Sequence, residues 1–197
     1  TTINIKGGEI TATGGVSLDS RNHSDKWLSG AGIGSGSNVS GETEINISGD
    51  STIKSASGGK YGGAGIGSGS YSGSKPNNQK GVVTINISGG NIEKATGGGE
   101  YVPSSKRWYS GAGIGAGLNA GTTTINIKDN AHIVSATGGK YGGAGIGSGS
   151  GDTKNDSKKG AVTINITDGT IEKAEGKDGG AGIGSGYYGR SSTVNIS

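Results

Sequence analysis

Short stretches in which apolar and polar residues alternate recur along the whole chain. In the first kind of stretch, two isoleucines share one side of an extended segment while Thr and Asn share the other. Its copies start at Thr2, Glu44, Thr84, Thr124, Thr163 and Thr193. These starts are separated by 42, 40, 40, 39 and 30 residues. Alternation with a period of two predicts β-strands, so the sequence predicts five repeats followed by a sixth copy of the first strand.

Each repeat carries two further motifs of the same period. One is a short segment that runs from Ile to Ala, at residues 10–12, 53–56, 92–95, 133–136 and 171–174. The other is Gly-Ala-Gly-Ile-Gly, which begins at Gly30, Gly63, Gly111, Gly143 and Gly180. Helical spacing is absent from the pattern. Three strands per repeat predict an all-β fold, a parallel β-helix (β-solenoid) of about five coils, and the preference for right-handed crossovers favours a right-handed coil.

We expect residues 1–197 to form a single solenoid domain whose coils are the repeats. The predicted units are 1–42, 43–82, 83–122, 123–161 and 162–197. Stacked coils bury their isoleucines by laying one upon another, so Ile47, Ile87, Ile127 and Ile166 should form a column. The glycines of the third motif weaken a strand. They indicate a face that something approaches closely, either a covering loop or ring, or a ligand or second solenoid.

Composition excludes several functions. The chain has 46 glycines and no cysteine, which excludes disulfides and thiolate metal sites. Leu, Ile, Val and Phe make up only about 16% of it, a level typical of disorder, yet their regular recurrence favours a fold. The net charge of +3 is spread over loops and predicts no nucleic-acid surface. No apolar run is long enough to cross a bilayer, so we expect no membrane insertion.

Aromatic residues are the candidate ligand-binding site. Four of the five Gly-Ala-Gly-Ile-Gly motifs are preceded by a ring two or three residues earlier. These residues are Trp27, Tyr61, Trp108 with Tyr109, and Tyr141. On stacked coils they should form a column along one edge, and a row of exposed rings suits sugar faces and protein partners. The alternative is that each ring covers its neighbouring glycine face.

The polar residues give weaker candidates. The Thr and Asn rows resemble the ice-binding face of some antifreeze solenoids, although hydrogen bonding along stacked Asn side chains is the structural alternative. Glu93 and Glu172, each beside a lysine, are typical of a solvated outer face rather than of a catalytic pair. Asp50, Asp129 and Asp168 follow the first strand as turn residues, with a calcium site as the alternative. We therefore expect no enzyme activity, no metal and no cofactor.

The repeated Gly-Ala-Gly-Ile-Gly-Ser-Gly and Thr-Ile-Asn-Ile-Ser-Gly-Gly motifs resemble the glycine-rich repeats of large cell-surface proteins of gut Firmicutes. The resemblance covers nearly the whole chain and implies an extracellular, bacterial cell-surface location. It also extends to β-helix adhesins. The leading hypothesis is an adhesion module that binds a glycan or a host glycoprotein, such as a mucin or an immunoglobulin. The alternatives are a purely structural spacer, a solenoid polysaccharide lyase or hydrolase, and an ice-binding solenoid; the oligomeric state stays open.

Overall fold

The chain is an all-β solenoid. Its computed structural model describes residues 1–19, 26–71, 80–103, 107–151, 160–189 and 191–197. Strands, turns and loops account for the described residues, with no helix among them. In chain order the described strands are β1 (Thr2–Thr13), β2 (Val16–Asp19), β3 (Lys26–Ser29), β4 (Ile33–Gly34), β5 (Thr43–Ser57), β6 (Ile66–Gly67), β7 (Val83–Ile92), β8 (Ala95–Thr96), β9 (Gly99–Val102), β10 (Arg107–Ser110), β11 (Ile114–Gly115), β12 (Thr123–Lys128), β13 (Ala131–Ile133), β14 (Ala136–Thr137), β15 (Ile146–Gly147), β16 (Val162–Ile166), β17 (Gly169–Ile171), β18 (Ala174–Glu175), β19 (Ile183–Gly184) and β20 (Ser192–Ile196).

Three parallel ladders run along the solenoid, as the three motifs predict. The first ladder pairs the Thr-Ile-Asn-Ile segments of β1, β5, β7, β12, β16 and β20. The second pairs the Ile-to-Ala segments, which continue β1, β5 and β7 and form β8, β13, β14, β17 and β18. The third pairs β4, β6, β11, β15 and β19. The prediction of a parallel β-helix with three short strands per coil is confirmed; its handedness stays a prediction.

Isoleucine columns form the core between the ladders. In the first ladder Ile47 pairs with Ile87, Ile87 with Ile127 and Ile127 with Ile166, as the repeat predicts. The third ladder stacks Ile66 on Ile114 and Ile114 on Ile146 in the same way. The central members of these columns are fully buried. Since each buried Ile contributes roughly 1.5–3 kcal/mol, repetition compensates for the small number of apolar residues.

An asparagine ladder runs along the outer side of the first ladder. The Nδ2 of each Asn donates a hydrogen bond to the Oδ1 of the Asn one coil earlier, at 2.8–2.9 Å. The ladder joins Asn4, Asn46, Asn86, Asn126, Asn165 and Asn195. The row predicted from the sequence is therefore confirmed, and its side chains satisfy one another along the axis.

The glycines of the third ladder are approached by backbone. A Cβ atom on Gly65 would lie 2.5 Å from the carbonyl oxygen of Gly113 in the next coil and 2.6 Å from the amide nitrogen of Thr96. Gly67, at φ +138°, would likewise collide with the backbone of Gly115. The recurrence of these glycines therefore needs no covering loop, ring or ligand. The neighbouring main chain already occupies the space that a side chain would fill.

Two coils carry a β-hairpin where the sequence predicts only loops. Between the second and third ladders, β2 pairs with β3 in coil 1, and β9 pairs with β10 in coil 3, both antiparallel. Coils 2 and 4 span the same interval with the short turns around Lys60 and Lys140. Glycines join each excursion to the ladder. For example, Gly111 N–H donates to Gly98 O at 2.9 Å, and Gly98 N–H donates to Gly63 O at 2.9 Å. The hairpins therefore project from a rigid hydrogen-bonded base.

Candidate binding surface

The β9–β10 hairpin presents aromatic rings on both of its faces. Its register places Trp108 opposite Tyr101, and Tyr109 opposite Glu100. Directly paired residues share a face of a hairpin, and successive residues point to opposite faces. Trp108 and Tyr109, adjacent in sequence, therefore belong to different surfaces.

The face that carries Tyr109 belongs to a buried aromatic cluster, which consists of Trp27, Tyr61, Val102, Tyr109 and Leu118. The ring centroids of Tyr61 and Tyr109 lie 6.1 Å apart at an interplanar angle of 76°, an edge-to-face contact, and those of Trp27 and Tyr61 lie 4.7 Å apart. Tyr61 and Tyr109 are each only 6% exposed. This cluster fixes the hairpin onto the solenoid.

The opposite face of the hairpin carries an exposed stack of rings. The centroid of Trp108 lies 4.1 Å from that of Tyr101 and 4.3 Å from that of Tyr141 in the next coil. Trp108 nevertheless keeps 48% of its surface exposed. We call Tyr101, Trp108 and Tyr141 the Trp108–Tyr141 surface.

Contacts from coil 5 hold Tyr141 in a strained backbone conformation. Its φ is +76°, a region that costs a residue with a Cβ atom about 1–2 kcal/mol. Its N–H donates to the Asp178 carboxylate at 2.9 Å, and Tyr187 packs against the adjacent Gly142, where a Cβ atom would collide with it. The Nζ of Lys140 lies 5.0 Å from the centroid of the Tyr141 ring. Coil 5 thus positions the ring that coil 4 supplies.

The five aromatic residues predicted as one exposed column fall into two groups. The structure contradicts the exposure expected for Tyr61 and Tyr109, because strand alternation and the packing of the hairpin on coil 2 turn both rings inward. Trp27 is partly buried beside Tyr61. Trp108 and Tyr141 do reach the surface, and their role in binding stays a prediction.

The site predicted from the sequence leaves out three further aromatic residues. Tyr101 joins Trp108 only through the hairpin register, which the loop-like sequence does not reveal. Tyr187 and Tyr188 follow the fifth Gly-Ala-Gly-Ile-Gly motif instead of preceding it; they stack at 4.2 Å and are 47% and 39% exposed. In the sequence, Tyr187 and Tyr188 differ from the predicted rings because they follow their motif, and this difference is the signal that could have identified them.

Charged and polar side chains pair with one another on the outer surface. Glu93 bonds Lys54 at 2.7 Å, and Glu172 bonds His132 at 2.7 Å, which confirms the expected solvated face. The hydrogen bond to Glu93 raises the pKa of Lys54. Hydrogen bonds from Lys173 and Lys177 hold the pKa of Glu175 at about 2. These groups stabilise the surface locally.

Asp129 lies in a turn and Asp168 in a bend after a first-ladder strand, as predicted, whereas Asp50 lies within β5, so its predicted turn position is wrong. Asp129 and Asn130 both have positive φ, and the carboxylate of Asp168 accepts the Asn130 N–H at 2.9 Å across coils. Within the described ranges, no group of three His, Asp or Glu side chains could hold a metal ion. Nor do those ranges include a helix that is long and apolar enough to cross a membrane.

A family model for the beta helix repeat matches this chain five times, at residues 3–37, 45–70, 85–118, 125–150 and 164–187. Each match begins at the first isoleucine of a first-ladder strand, and together the matches cover well over half of the chain. Comparison with curated proteins and with solved structures finds no match. The chain therefore belongs to the beta helix repeat family.

Proposed function

We propose that this solenoid is an extracellular binding module of a bacterial surface protein that recognises a glycan or a host glycoprotein through the Trp108–Tyr141 surface. The exposure of Trp108 carries the proposal. A stack of three rings could be buried, as the cluster around Tyr61 is, yet this one leaves nearly half of its tryptophan in water. Tryptophan and tyrosine in such positions are the residues that most often anchor ligands and partners.

The location of the rings supports the same role. They project on a hairpin and a short turn from ladders that hardly vary between coils, and variable segments on a rigid scaffold are where binding residues concentrate. Two crevices elsewhere, beside Tyr71 and beside Asn119, each have a volume of about 10 Å³, which is room for about one water molecule. A sugar or polypeptide would bind on the open surface, without any metal or cofactor.

Substitution of Trp108 tests the proposal. The wild-type chain and Trp108→Ala would be screened against immobilised glycans and against glycoproteins that include a mucin and an immunoglobulin. Loss of a central aromatic anchor costs about 2 kcal/mol or more, so Trp108→Ala should weaken binding at least roughly 30-fold. Trp108→Phe should retain part of the affinity.

Tyr188→Ala is the matched control, because Tyr188 is also an exposed ring but lies outside the Trp108–Tyr141 surface. Equal binding by wild type and Trp108→Ala would contradict the proposal. The β-sheet circular dichroism of each variant shows that a loss of binding does not come from unfolding.

A structural spacer is a second candidate, favoured by the continuous asparagine ladder and isoleucine columns. Both features stiffen the solenoid along its axis, and neither requires a ligand. A spacer predicts that the wild-type chain retains no glycan or glycoprotein in the same screen. Unlike an adhesion module, it would tolerate Trp108→Ala without any change in the properties of its parent protein.

A further inference from the structure

The chain contains a longer repeat made of two coils. Coils 1 and 3 carry hairpins that end in the corresponding segments Lys26–Ser29 and Arg107–Ser110, each a basic residue, Trp, an apolar residue and Ser. Coils 2 and 4 carry residues 58–70 and 138–150, which are identical in sequence. Trp27 thus corresponds to Trp108, and Tyr61 corresponds to Tyr141.

The two units build the same aromatic pair. Trp27 contacts Tyr61 at 4.7 Å with an interplanar angle of 46°, and Trp108 contacts Tyr141 at 4.3 Å with an angle of 47°. A lysine Nζ lies over the tyrosine in both units, 4.8 Å from the Tyr61 centroid and 5.0 Å from that of Tyr141. The same contact between a Trp and a Tyr ring, with a lysine beside it, therefore occurs twice in one molecule, although only Tyr141 has positive φ.

The two pairs also differ in what the next coil places beside them. In the first unit the next coil supplies a hairpin, whose Tyr109 and Val102 pack against Tyr61 and leave it 6% exposed. In the second unit the next coil crosses the same interval with the short turn at Lys177–Gly180, and no hairpin is present there. Tyr141, which corresponds to Tyr61, accordingly stays partly exposed, and Trp108 beside it is 48% exposed. The first unit thus shows that a β-hairpin can cover such a pair of rings, and the second unit leaves the corresponding pair without a hairpin.

We propose that the Trp108–Tyr141 surface docks a β-hairpin or strand of a partner protein that presents a tyrosine beside a branched aliphatic residue. This rests on the proposed binding role and names the class of partner. The internal occupant is polypeptide, it meets Tyr61 edge to face, and Val102 adds apolar contact. The bound partner segment would contact Tyr141 in the same manner, with the hairpin of coil 3 on its other side. A glycan ligand at this surface is the competing outcome.

A hairpin graft tests whether the surface accepts such a segment. In a Trp27→Phe background, where Trp108 is the only tryptophan, residues 178–179 are replaced by residues 99–110 with the tryptophan of the inserted copy changed to Phe. Acrylamide quenching of Trp108 should fall and its emission should shift to shorter wavelength. The same graft carrying Ser in place of its tyrosine should protect Trp108 less. Unchanged quenching in a folded graft would overturn the proposal.

A measurement between separate molecules covers the case in which the graft does not fold. A peptide of residues 98–111, closed by a disulfide between added terminal cysteines and with its tryptophan changed to Phe, is titrated into the Trp27→Phe chain. Saturable protection of Trp108, absent in Tyr141→Ala, is expected. Protection that persists in Tyr141→Ala, or no protection at any concentration, counts against the proposal.

Glycoproteins captured in the screen distinguish this inference from the broader function. Binding that survives enzymatic removal of the glycans and is lost in Trp108→Ala supports a polypeptide partner. Binding that disappears with the glycans, or binding of a free glycan at Trp108, overturns the polypeptide partner and leaves the proposed function standing. Capture of nothing by the wild-type chain overturns both.

Discussion

Tyr61 and Tyr141 show how a neighbouring coil decides the conformation of a residue. Each stands in the same thirteen-residue segment, yet only Tyr141 has positive φ. The Tyr61 N–H donates to the hydroxyl of Ser29 at 2.8 Å, whereas the Tyr141 N–H donates to the carboxylate of Asp178 at 2.9 Å. The partner that the adjacent coil offers therefore selects the backbone geometry, and in this geometry the Tyr141 ring contacts Trp108.

This difference predicts opposite responses to glycine at the two positions. Tyr141→Gly should be more stable to urea than Tyr141→Ala by about 1 kcal/mol, because Gly adopts positive φ without a steric cost. At Tyr61 the φ is not positive, so Tyr61→Gly should be no more stable than Tyr61→Ala. Urea midpoints of the four variants measure both differences. The same order at both positions would mean that the two backbones are alike.

Glu175 makes stability depend on pH at the residue scale. Its carboxylate bonds Lys173 at 2.8 Å and also bonds Lys177, and its pKa is lowered from 4.5 to about 2. A pKa that is lower in the folded state gives stability that is present above 4.5 and is lost as the pH falls toward 2. Urea midpoints of Glu175→Gln should therefore fall less than those of wild type across this window.

High salt separates the contribution of the Glu175 ion pairs from other effects of acid on stability. The Glu175 side chain is 33% exposed, so its interaction with the lysines is screened by salt and contributes little. The difference between wild type and Glu175→Gln should shrink when salt is added. A difference that is independent of salt would mean that the side chain stabilises the fold by packing instead.

Within the elements, asparagine side chains act as a unit. Asn126 donates to Asn86 and accepts from Asn165, each at 2.8 Å, while Asn195 at the last strand makes one such bond. Because a hydrogen bond contributes about 1 kcal/mol, Asn126→Ala should lower the free energy of unfolding by about 2 kcal/mol and Asn195→Ala by about half as much. Urea denaturation compares them; equal losses would show that the ladder bonds are not what these residues contribute.

The elements divide into those that the sequence predicts and those that it does not. All three ladders follow from alternation; in the first, for example, a one-residue shift would turn Ile87 or Ile127 into solvent. The hairpins do not follow, since segments such as Gly99–Val102 lack alternating apolar residues, and the ends of the hairpin meet through the hydrogen bond from Gly111 N–H to Gly98 O. The binding surface could not be predicted for the same reason, because the pairing decides which face of the hairpin carries Trp108 and which carries Tyr109.

At the scale of the whole molecule, stability should be a sum over coils. Each coil contacts its neighbours through in-register ladders, and the long-range structure contains no contact that closes the solenoid end to end among the described strands. Repeat proteins of this kind tolerate the loss of a complete unit better than that of a partial one. The boundaries predicted from the sequence can therefore be tested by removing a coil.

Deletion of residues 123–161 should leave a folded solenoid that is one coil shorter. Thr122 is then followed by Val162, and the first strand of coil 5 can pair with β7 in the register that β12 now uses, Ile164 on Ile85 and Ile166 on Ile87. Circular dichroism should keep its β-sheet form, while the urea m-value, which scales with the surface exposed on unfolding, should fall by about one fifth.

Deletion of residues 123–142 removes two of the three strands of the same coil, so the third ladder keeps a strand that the other two cannot match, and this shorter deletion should destabilise the chain more than the longer one. If the longer deletion proves the more damaging, the coil is not the unit of stability and the isoleucine columns do not stack independently.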